Sequence, residues 1–542
     1  MASELFRTKP LALLLEEMKG ENRLRRVLGP VQLTSLGVGA IIGAGIFVAT
    51  GAAAHNTAGP ALMVSYAMAG ITCIFAALCY AEFASMVPVA GSAYTYAYAT
   101  LGEMFAWIIG WDLTLEYAVG SATVANGWSS FFLTLLPKIG ISTFQQHVPN
   151  AWFNLPEAIS RAPIVYNATS GHFERTAGII NLPAVIIVAI VTAILVKGIQ
   201  ESATFNATMV AVKIAAVLFV ILVGAFFINP ENWHPFAPYG WGGLTFFGNT
   251  VWGETRGGNP VGMFAGAAII FFAYIGFDSV STHAEEAKQP NRDVPIGIVA
   301  SLIICTILYI AVVAVLTGMV SYTHIDPGAG VSVAFATRGM AWAEAIIAIA
   351  GVAGITSVLL VMMLSAPRVF LAMSRDGMLA PSFFGAIHPR FRTPYKSTIL
   401  VGSAVAIMTG LLPIDALLQM TNIGTLFAFA IVCAAVLIMR RTNPDAERPF
   451  RAPFVPLVPI LGILSCLMLM FSLPEANWLR LIVWLAIGLV IYFAYSRKRS
   501  VMARNLAHEL ATHGVSPRGQ AVGDPDAPPD APDRPIDPKV KK

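Results

Sequence analysis

The chain has 542 residues, of which 56% are hydrophobic and only 12% charged, and its mean hydropathy is +0.70. A soluble domain carries about 25% charged residues, so this composition excludes an ordinary water-soluble fold and points to a polytopic membrane protein. The formal net charge of +4 says little by itself, and the absence of a phosphate-binding glycine loop, a zinc signature or a nucleophile elbow argues against an enzyme.

The first thirty residues are polar and basic, with no short apolar run ending in a small-residue cleavage site, which argues against a cleaved signal peptide. Leu11 to Leu15 is too short to span and suits the membrane surface. Beyond this tail, apolar runs near the spanning length of about 20 residues are predicted at about 33–54, 60–82, 94–134, 182–198, 204–228 and 262–284. Six more follow at about 294–319, 340–372, 396–412, 415–439, 454–473 and 477–496. The third and eighth exceed the minimum and imply tilt or extension beyond the bilayer. Cys73, Cys79, Cys305, Cys433 and Cys466 all fall inside apolar runs without metal-ligand spacing, as lipid-facing or core thiols do.

Twelve spans place both ends of the chain on one side. On that side 27 of the 34 lysines and arginines collect, against six on the other, with Lys213 inside a span. The positive-inside rule makes the richer side cytoplasmic. The segments from about 135 to 181 and from about 229 to 261 are then outer loops. Asn167-Ala168-Thr169 matches a glycosylation acceptor, but the pattern is short and common by chance. From Val515 to Lys542, prolines and aspartates replace apolar residues and disorder is expected.

The first run contains Leu36 to Thr50, LGVGAIIGAGIFVAT, with glycine at Gly37, Gly39, Gly43 and Gly45. Glycine costs roughly 1 kcal/mol relative to alanine in a helix interior. Two uses justify that cost. Gly39 and Gly43 form a small-xxx-small pair that lets helices approach closely; alternatively, Gly43-Ala44-Gly45 opens the helix where its bare amides and carbonyls line a buried site. The sixth run is interrupted in the same manner near Gly276, after Phe271, Phe272, Ala273, Tyr274 and Ile275. Two broken helices five spans apart fit two five-helix repeats inverted in the membrane, and this favours a paired binding site over simple packing.

These residues resemble a known family. Ala40-Ile41-Ile42-Gly43-Ala44-Gly45-Ile46-Phe47 and Phe272-Ala273-Tyr274-Ile275-Gly276-Phe277-Asp278 are similar to the amino acid, polyamine and organocation superfamily, in its bacterial cationic-amino-acid-transporter-like branch. Glu285-Glu286 through Pro290, Arg292, Val294 and Pro295 agree, as do Ser374-Arg375-Asp376-Gly377-Met378 with His388-Pro389-Arg390-Phe391, and Arg448-Pro449-Phe450-Arg451-Ala452-Pro453. The resemblance covers about residues 30 to 496.

It implies an all-α polytopic protein of twelve transmembrane helices, a LeuT-like 5+5 inverted repeat with helices 1 and 6 broken, plus two C-terminal helices. The expected divisions are a cytoplasmic tail at 1–30, repeat one at 31–228, an outer loop at 229–261, repeat two at 262–440, two further spans at 441–496 and a cytoplasmic tail at 497–542. The implied function is proton-coupled amino acid symport in the plasma membrane by alternating access. An obligatory exchanger or a sodium symporter of the same fold is the nearest rival, and a channel or membrane-embedded enzyme a distant one. No cofactor, metal or nucleic acid is expected; the partners are an amino acid, protons and lipid, with the monomer as the functional unit.

The resemblance also implies that the substrate carboxylate meets amides at Ala44 and Gly45, beside the Ile41 carbonyl. The amino group would meet carbonyls of Phe272, Ala273 and Ile275. Amides at a half-helix N-terminus favour an anion and free carbonyls a cation. Many relatives carry serine or threonine where this chain has Ala44, so one hydroxyl contact is missing.

Lys213 lies halfway along the fifth run, where a charge costs about 2.5 to 3.5 kcal/mol. The resemblance points it at the Gly43 carbonyl region, where sodium-coupled relatives hold an ion, so that its ammonium could replace that ion and couple transport to protons. Asp112 and Glu116 are four apart in the third run and share a helix face. Glu116 is read either as a second proton-coupling residue or as a structural hydrogen bond, and Asp112 as structural. Glu82, Asp278, Glu285, Glu286, Arg368 and Arg375 fall near predicted cytoplasmic ends, suited to gating. No acidic residue lies within the broken stretches to pair with a cationic side chain, while Phe272 and Ile275 suggest small or hydrophobic ones.

Overall fold

A computed structural model describes residues 8–9, 28–86, 92–144, 155–167, 172–198, 203–246, 249–282, 284 and 287–501. Leu11 to Leu15, the Glu285-Glu286 pair and the stretch from Val515 onward lie outside the described residues.

The first half contains α1 (Pro30–Ile41), α2 (Thr50–Ala53), α3 (Leu62–Met86), α4 (Ser92–Thr100), α5 (Glu103–Phe144), α6 (Glu157–Ser160), α7 (Leu182–Lys197) and α8 (Ala203–Gly224). The second contains α9 (Met263–Ile270), α10 (Ser279–Thr282), α11 (Pro290–Met319), α12 (Gly330–Thr337), α13 (Ala341–Arg375), α14 (Tyr395–Leu411), α15 (Ile414–Thr442), α16 (Leu457–Met470) and α17 (Glu475–Ile491).

Among the described residues, seven helical stretches are long and apolar enough to cross a membrane: Pro30–Met86, Thr208–Phe227, Met263–Ser281, Pro290–Met319, Ala341–Arg375, Ile414–Thr442 and Glu475–Arg499. Leu182–Lys197, Tyr395–Leu411 and Leu457–Met470 are shorter apolar helices. The all-α expectation needs one correction. Three two-stranded antiparallel hairpins occupy the segments expected as outer loops: Ile164–Asn167 with His172–Arg175, Leu244–Phe246 with Asn249–Trp252, and Glu254–Arg256 with Asn259–Val261. These segments carry no long apolar run, and pairing strands satisfies their main-chain groups locally. The protein is therefore mostly helical.

Local chemistry sets several boundaries. Pro30 opens α1 without wasting an N–H, and Gln32 reaches back to accept from the Gly29 amide at 3.0 Å. The predicted run at 94–134 is not one helix: it divides at Gly102, whose φ of +98° no ordinary residue adopts at low cost, into α4 and a 42-residue α5. In the core, α5 packs mainly on α13 and α15, and α11 on α1 and α3. Gly351 of α13 seats the Phe131 ring of α5, where a Cβ would come within 2.6 Å of the ring. All five cysteines are buried and unpaired, which settles them as core thiols.

One buried ion cluster joins α3, α15 and the loop before α16. Glu82 is 2% exposed at its side chain and accepts from Arg440 Nε at 3.0 Å and Nη2 at 2.7 Å, with the Arg448 Nε at 3.4 Å. The Ala452 amide donates to the same carboxylate at 2.8 Å, and Arg448 donates to the carbonyls of Met439, Asn443, Pro444 and Ala446. Removing one member of a buried pair strands the other charge. Glu82→Ala is expected to destabilise the fold by about 3 kcal/mol, the low end of the range for buried pairs because Arg440 is 27% exposed. Glu82→Gln should cost less, and thermal unfolding of the purified protein reads the order.

Candidate functional site

α1 stops at Ile41; Ile42 turns extended, with ψ of 103°, and helix resumes as a π turn over Gly45–Ala49. α9 tightens into a 3-10 turn over Phe271–Tyr274, Ile275 is extended with ψ of 132°, and Gly276 has φ of +121°. Glycine's freedom matters at these two points. A Cβ on Gly45 would run into the main chain of Ala273, and one on Gly276 would stand 2.9 Å from the Ala40 carbonyl oxygen. The two interruptions therefore cross in direct contact, backbone to backbone.

The crossing brings together Ile41, Ala44, Gly45, Phe272, Ala273 and Ile275, all buried. Gly43 stands beside them and faces Val358 of α13. The free carbonyls are not all bare. The Tyr309 hydroxyl of α11 lies 2.9 Å from the Ile41 oxygen and 3.1 Å from the Ala273 oxygen, one donor reaching an acceptor on each broken segment. Phe272 O accepts from the Ile275 amide at 3.2 Å. An ammonium bound at Ala273 O would share that oxygen with Tyr309 or displace it.

Behind the crossing, Thr50 Oγ1 lies 3.3 Å from Gly45 O and 2.7 Å from the Tyr66 hydroxyl. Tyr274 donates to Tyr66 O at 2.8 Å, and the rings of Tyr66, Tyr274 and Tyr309 lie 5.4 to 6.1 Å apart. Sequence reasoning missed these tyrosines. The available signal was a hydroxyl in the middle of an apolar run, as in Ile307-Leu308-Tyr309-Ile310, because a buried tyrosine O–H needs a partner.

Lys213 of α8 is 1% exposed and its Nζ lies 2.5 Å from the carbonyl oxygen of Gly39. The expected partner was the Gly43 region, one turn further on. The reason for the difference is the helix end: the last four carbonyls of α1 lack intrahelical donors, and Gly39 is among them. Lys213 supplies one. Its aliphatic stem lies on Gly354 of α13, where a Cβ would be 3.2 Å from Cγ. Gly39 itself packs against Val210 of α8, so it seats the helix while Gly43 and Gly45 lie at the opening.

Glu116 lies elsewhere. With Asp112 it projects from α5 into a small cavity shared with Thr421 and Gly424 of α15 and Arg480 of α17. No oxygen of either carboxylate has a hydrogen-bond partner among the described residues. The next residue, Tyr117, donates to Asp278 at 2.6 Å, and Asp278 is 1% exposed. Asp278, expected near a cytoplasmic helix end, directly precedes α10 and is buried. Two residues beyond Gly276 the chain is still inside the protein, so its carboxylate is tied to α5.

The pattern of the amino acid permease family matches residues 28–492. The chain is 45% identical over 504 residues to the branched-chain amino acid permease BcaP of Bacillus subtilis (strain 168), covering 92% of this chain and 99% of that protein. It is 42% identical over 500 residues to the methylthioribose transporter of the same organism, with the same coverage. It is 34% identical over 455 residues to cationic amino acid transporter 4 of Homo sapiens, covering 82% of this chain and 64% of that one. These relatives are transporters and permeases, not enzymes, and together with the spans they support amino acid transport by a multi-pass membrane protein. The chain belongs to the amino acid permease family of the amino acid, polyamine and organocation superfamily.

Proposed function

We propose that the protein is a proton-coupled symporter of L-amino acids in the plasma membrane, working by alternating access around the crossing of its two interrupted segments. The observation that carries this reading is the Lys213 ammonium on the Gly39 carbonyl, one turn before the opening. A charge-assisted hydrogen bond is roughly twice as strong as a neutral one. Protonated Lys213 therefore holds the end of α1 more firmly than the neutral amine does, and a proton gained or lost changes how freely that end moves.

Twelve spans with both ends cytoplasmic account for the helices. Pro30–Met86, at 57 residues, is long enough for two crossings, and six further long stretches, three shorter apolar helices and the 42-residue α5 supply ten more. The bias of basic residues sets the orientation. Substrate binding is assigned to the amides of Ala44 and Gly45 for the carboxylate, near Ile41 and Gly43, and to carbonyls of Phe272, Ala273 and Ile275 for the amino group. Tyr309 joins them as the group that holds the Ile41 and Ala273 carbonyls. Glu116, buried without a partner, is the second candidate for proton coupling.

The side-chain end of the substrate is proposed to be neutral and apolar. Phe47, Phe272, Ile275 and Val358 are buried about the crossing, and the likeness to a branched-chain amino acid permease agrees with them. In reconstituted vesicles, unlabelled L-isoleucine or L-valine should compete with labelled L-isoleucine, while L-arginine and methylthioribose at the same concentration should not; the reverse order would overturn the apolar assignment.

Initial uptake by the wild type should rise with an inward proton gradient and stay unchanged when sodium is replaced by choline. Lys213→Met keeps the packing of the stem and removes the ammonium, so the protein should fold but lose the response to the gradient. Unchanged gradient-driven accumulation by that variant would overturn the coupling role of Lys213, whereas wild-type uptake that ignores pH and requires internal amino acid would favour the exchanger. Gly45→Ala forces the two interruptions apart and should lower uptake by about 100-fold or more, with a stability cost of about 1 to 3 kcal/mol for overpacking.

A further inference from the structure

A groove of about 520 Å³, within the size range of ligand sites, follows α11 from the end that the basic-residue bias places on the cytoplasmic side. Its apolar walls include Pro295, Ile296, Val299 and Ile303 of α11, Leu78 of α3, and Phe450 in the segment before α16. Ile296 and Ile303 are exposed, on a helix long and apolar enough to cross a membrane, so this face looks onto lipid. The Phe450 wall is fixed in place: its amide donates to Ser85 Oγ of α3 at 3.2 Å, and the nearby Ala452 amide donates to Glu82. Among the described residues only two polar side chains line the groove, Asn291 and Arg292, both in the first turn of α11.

The rise from Arg292 to Ile303 along the helix is about 16 Å, and half of a hydrocarbon core about 30 Å thick is about 15 Å. The groove therefore reaches from headgroup level to about the middle of the membrane, with its charge at one end alone. Arg292 is exposed, and its guanidinium forms no hydrogen bond or ion pair among the described residues. The carboxylates nearest it in the fold are committed elsewhere. Asp293 is buried and accepts from the Gln289 amide at 3.1 Å, and Glu82 is held by Arg440 and Arg448. Lys288, exposed four residues earlier in the chain, adds a second positive charge at this end.

We propose that this groove binds one anionic phospholipid of the cytoplasmic leaflet, with an acyl chain along the apolar walls and the headgroup phosphate on the Arg292 guanidinium. The planar fork of arginine matches two phosphate oxygens, and basic residues at the cytoplasmic ends of transmembrane helices draw anionic headgroups. The occupant is a lipid and not a free phosphate, because one cation stands above a full leaflet depth of apolar surface that a soluble anion would leave uncovered. A lipid seated there joins α11 to α3 and to the segment before α16. It thereby braces the helix whose Tyr309 holds the Ile41 and Ala273 carbonyls. The inference does not rest on the symport reading, since its test reads binding and not uptake.

The test uses the purified full chain in detergent, with phosphatidylglycerol as the probe and phosphatidylcholine as the zwitterionic control. Native mass spectrometry should find one phosphatidylglycerol retained per wild-type chain. Retention should fall about tenfold in Arg292→Gln, as loss of a hydrogen bond to a charged group does, and recover in part in Arg292→Lys. Ala300→Trp fills the groove and leaves the guanidinium in place, and should lose the lipid to the same extent. Phosphatidylglycerol should raise the thermal unfolding temperature of the wild type and of neither variant, since a ligand of the folded state alone stabilises it. Without lipid, Arg292→Gln should unfold where the wild type does, because its side chain has no partner to lose among the described residues; should Ala300→Trp unfold early, the two Arg292 variants and the phosphatidylcholine control decide. Equal retention by wild type and Arg292→Gln, equal retention of phosphatidylcholine, retention undiminished in a folded Ala300→Trp, or displacement of the lipid by inorganic phosphate overturns the proposal.

Discussion

The structure depends on how main-chain groups are satisfied where two helices are interrupted inside an apolar bundle. Bare N–H and C=O groups there cost several kcal/mol each unless something pairs with them. Tyr309 covers the Ile41 and Ala273 carbonyls, Thr50 lies on the Gly45 carbonyl, and Lys213 covers Gly39. Further out, Asn422 of α15 donates to the carbonyls of Ala268 and Ile269 in the last turn of α9. Each partner comes from a different helix. Breaking α1 and α9 therefore commits α2, α8, α11 and α15 to fixed positions around them.

For the proposed alternating access, a hydroxyl or an ammonium on a carbonyl is a partner that can yield to a substrate group of the same hydrogen-bonding type. The ion cluster at Glu82 has the opposite character. Its carboxylate receives a bidentate guanidinium, a second arginine and an amide, and the second arginine is itself bonded to four carbonyls. Such a cluster holds α3 and α15 together. A second polar cluster gathers the chain near both of its ends: Asp376 accepts from Lys9 Nζ at 3.1 Å and Tyr94 Oη at 2.6 Å, and the Val501 amide donates to the Asp376 carbonyl at 3.0 Å.

Charge is distributed with the same economy. Lys213 meets a carbonyl dipole rather than a carboxylate, while Asp112 and Glu116 meet no hydrogen-bond donor among the described residues. The ammonium is held by that single contact, whereas the carboxylate at Glu82 is fully paired.

The sequence by itself determined the class of the protein and the location of the two interruptions. Long apolar runs with few charges have one physical use, and glycine at Gly43, Gly45 and Gly276 is costly in a helix unless the backbone must bend or be approached closely. It also marked Lys213, because an isolated charge in an apolar run is conspicuous. Only the tertiary structure decided the partners. That Lys213 meets Gly39 depends on where α1 ends, and that Tyr309 bridges Ile41 and Ala273 depends on how α11 lies against both segments. Asp278 gave the same lesson, since its partner Tyr117 lies on α5, far away in sequence. Periodicity and composition report what a segment costs in lipid or water, whereas a hydrogen bond between residues hundreds apart in sequence is set by the packing of whole helices.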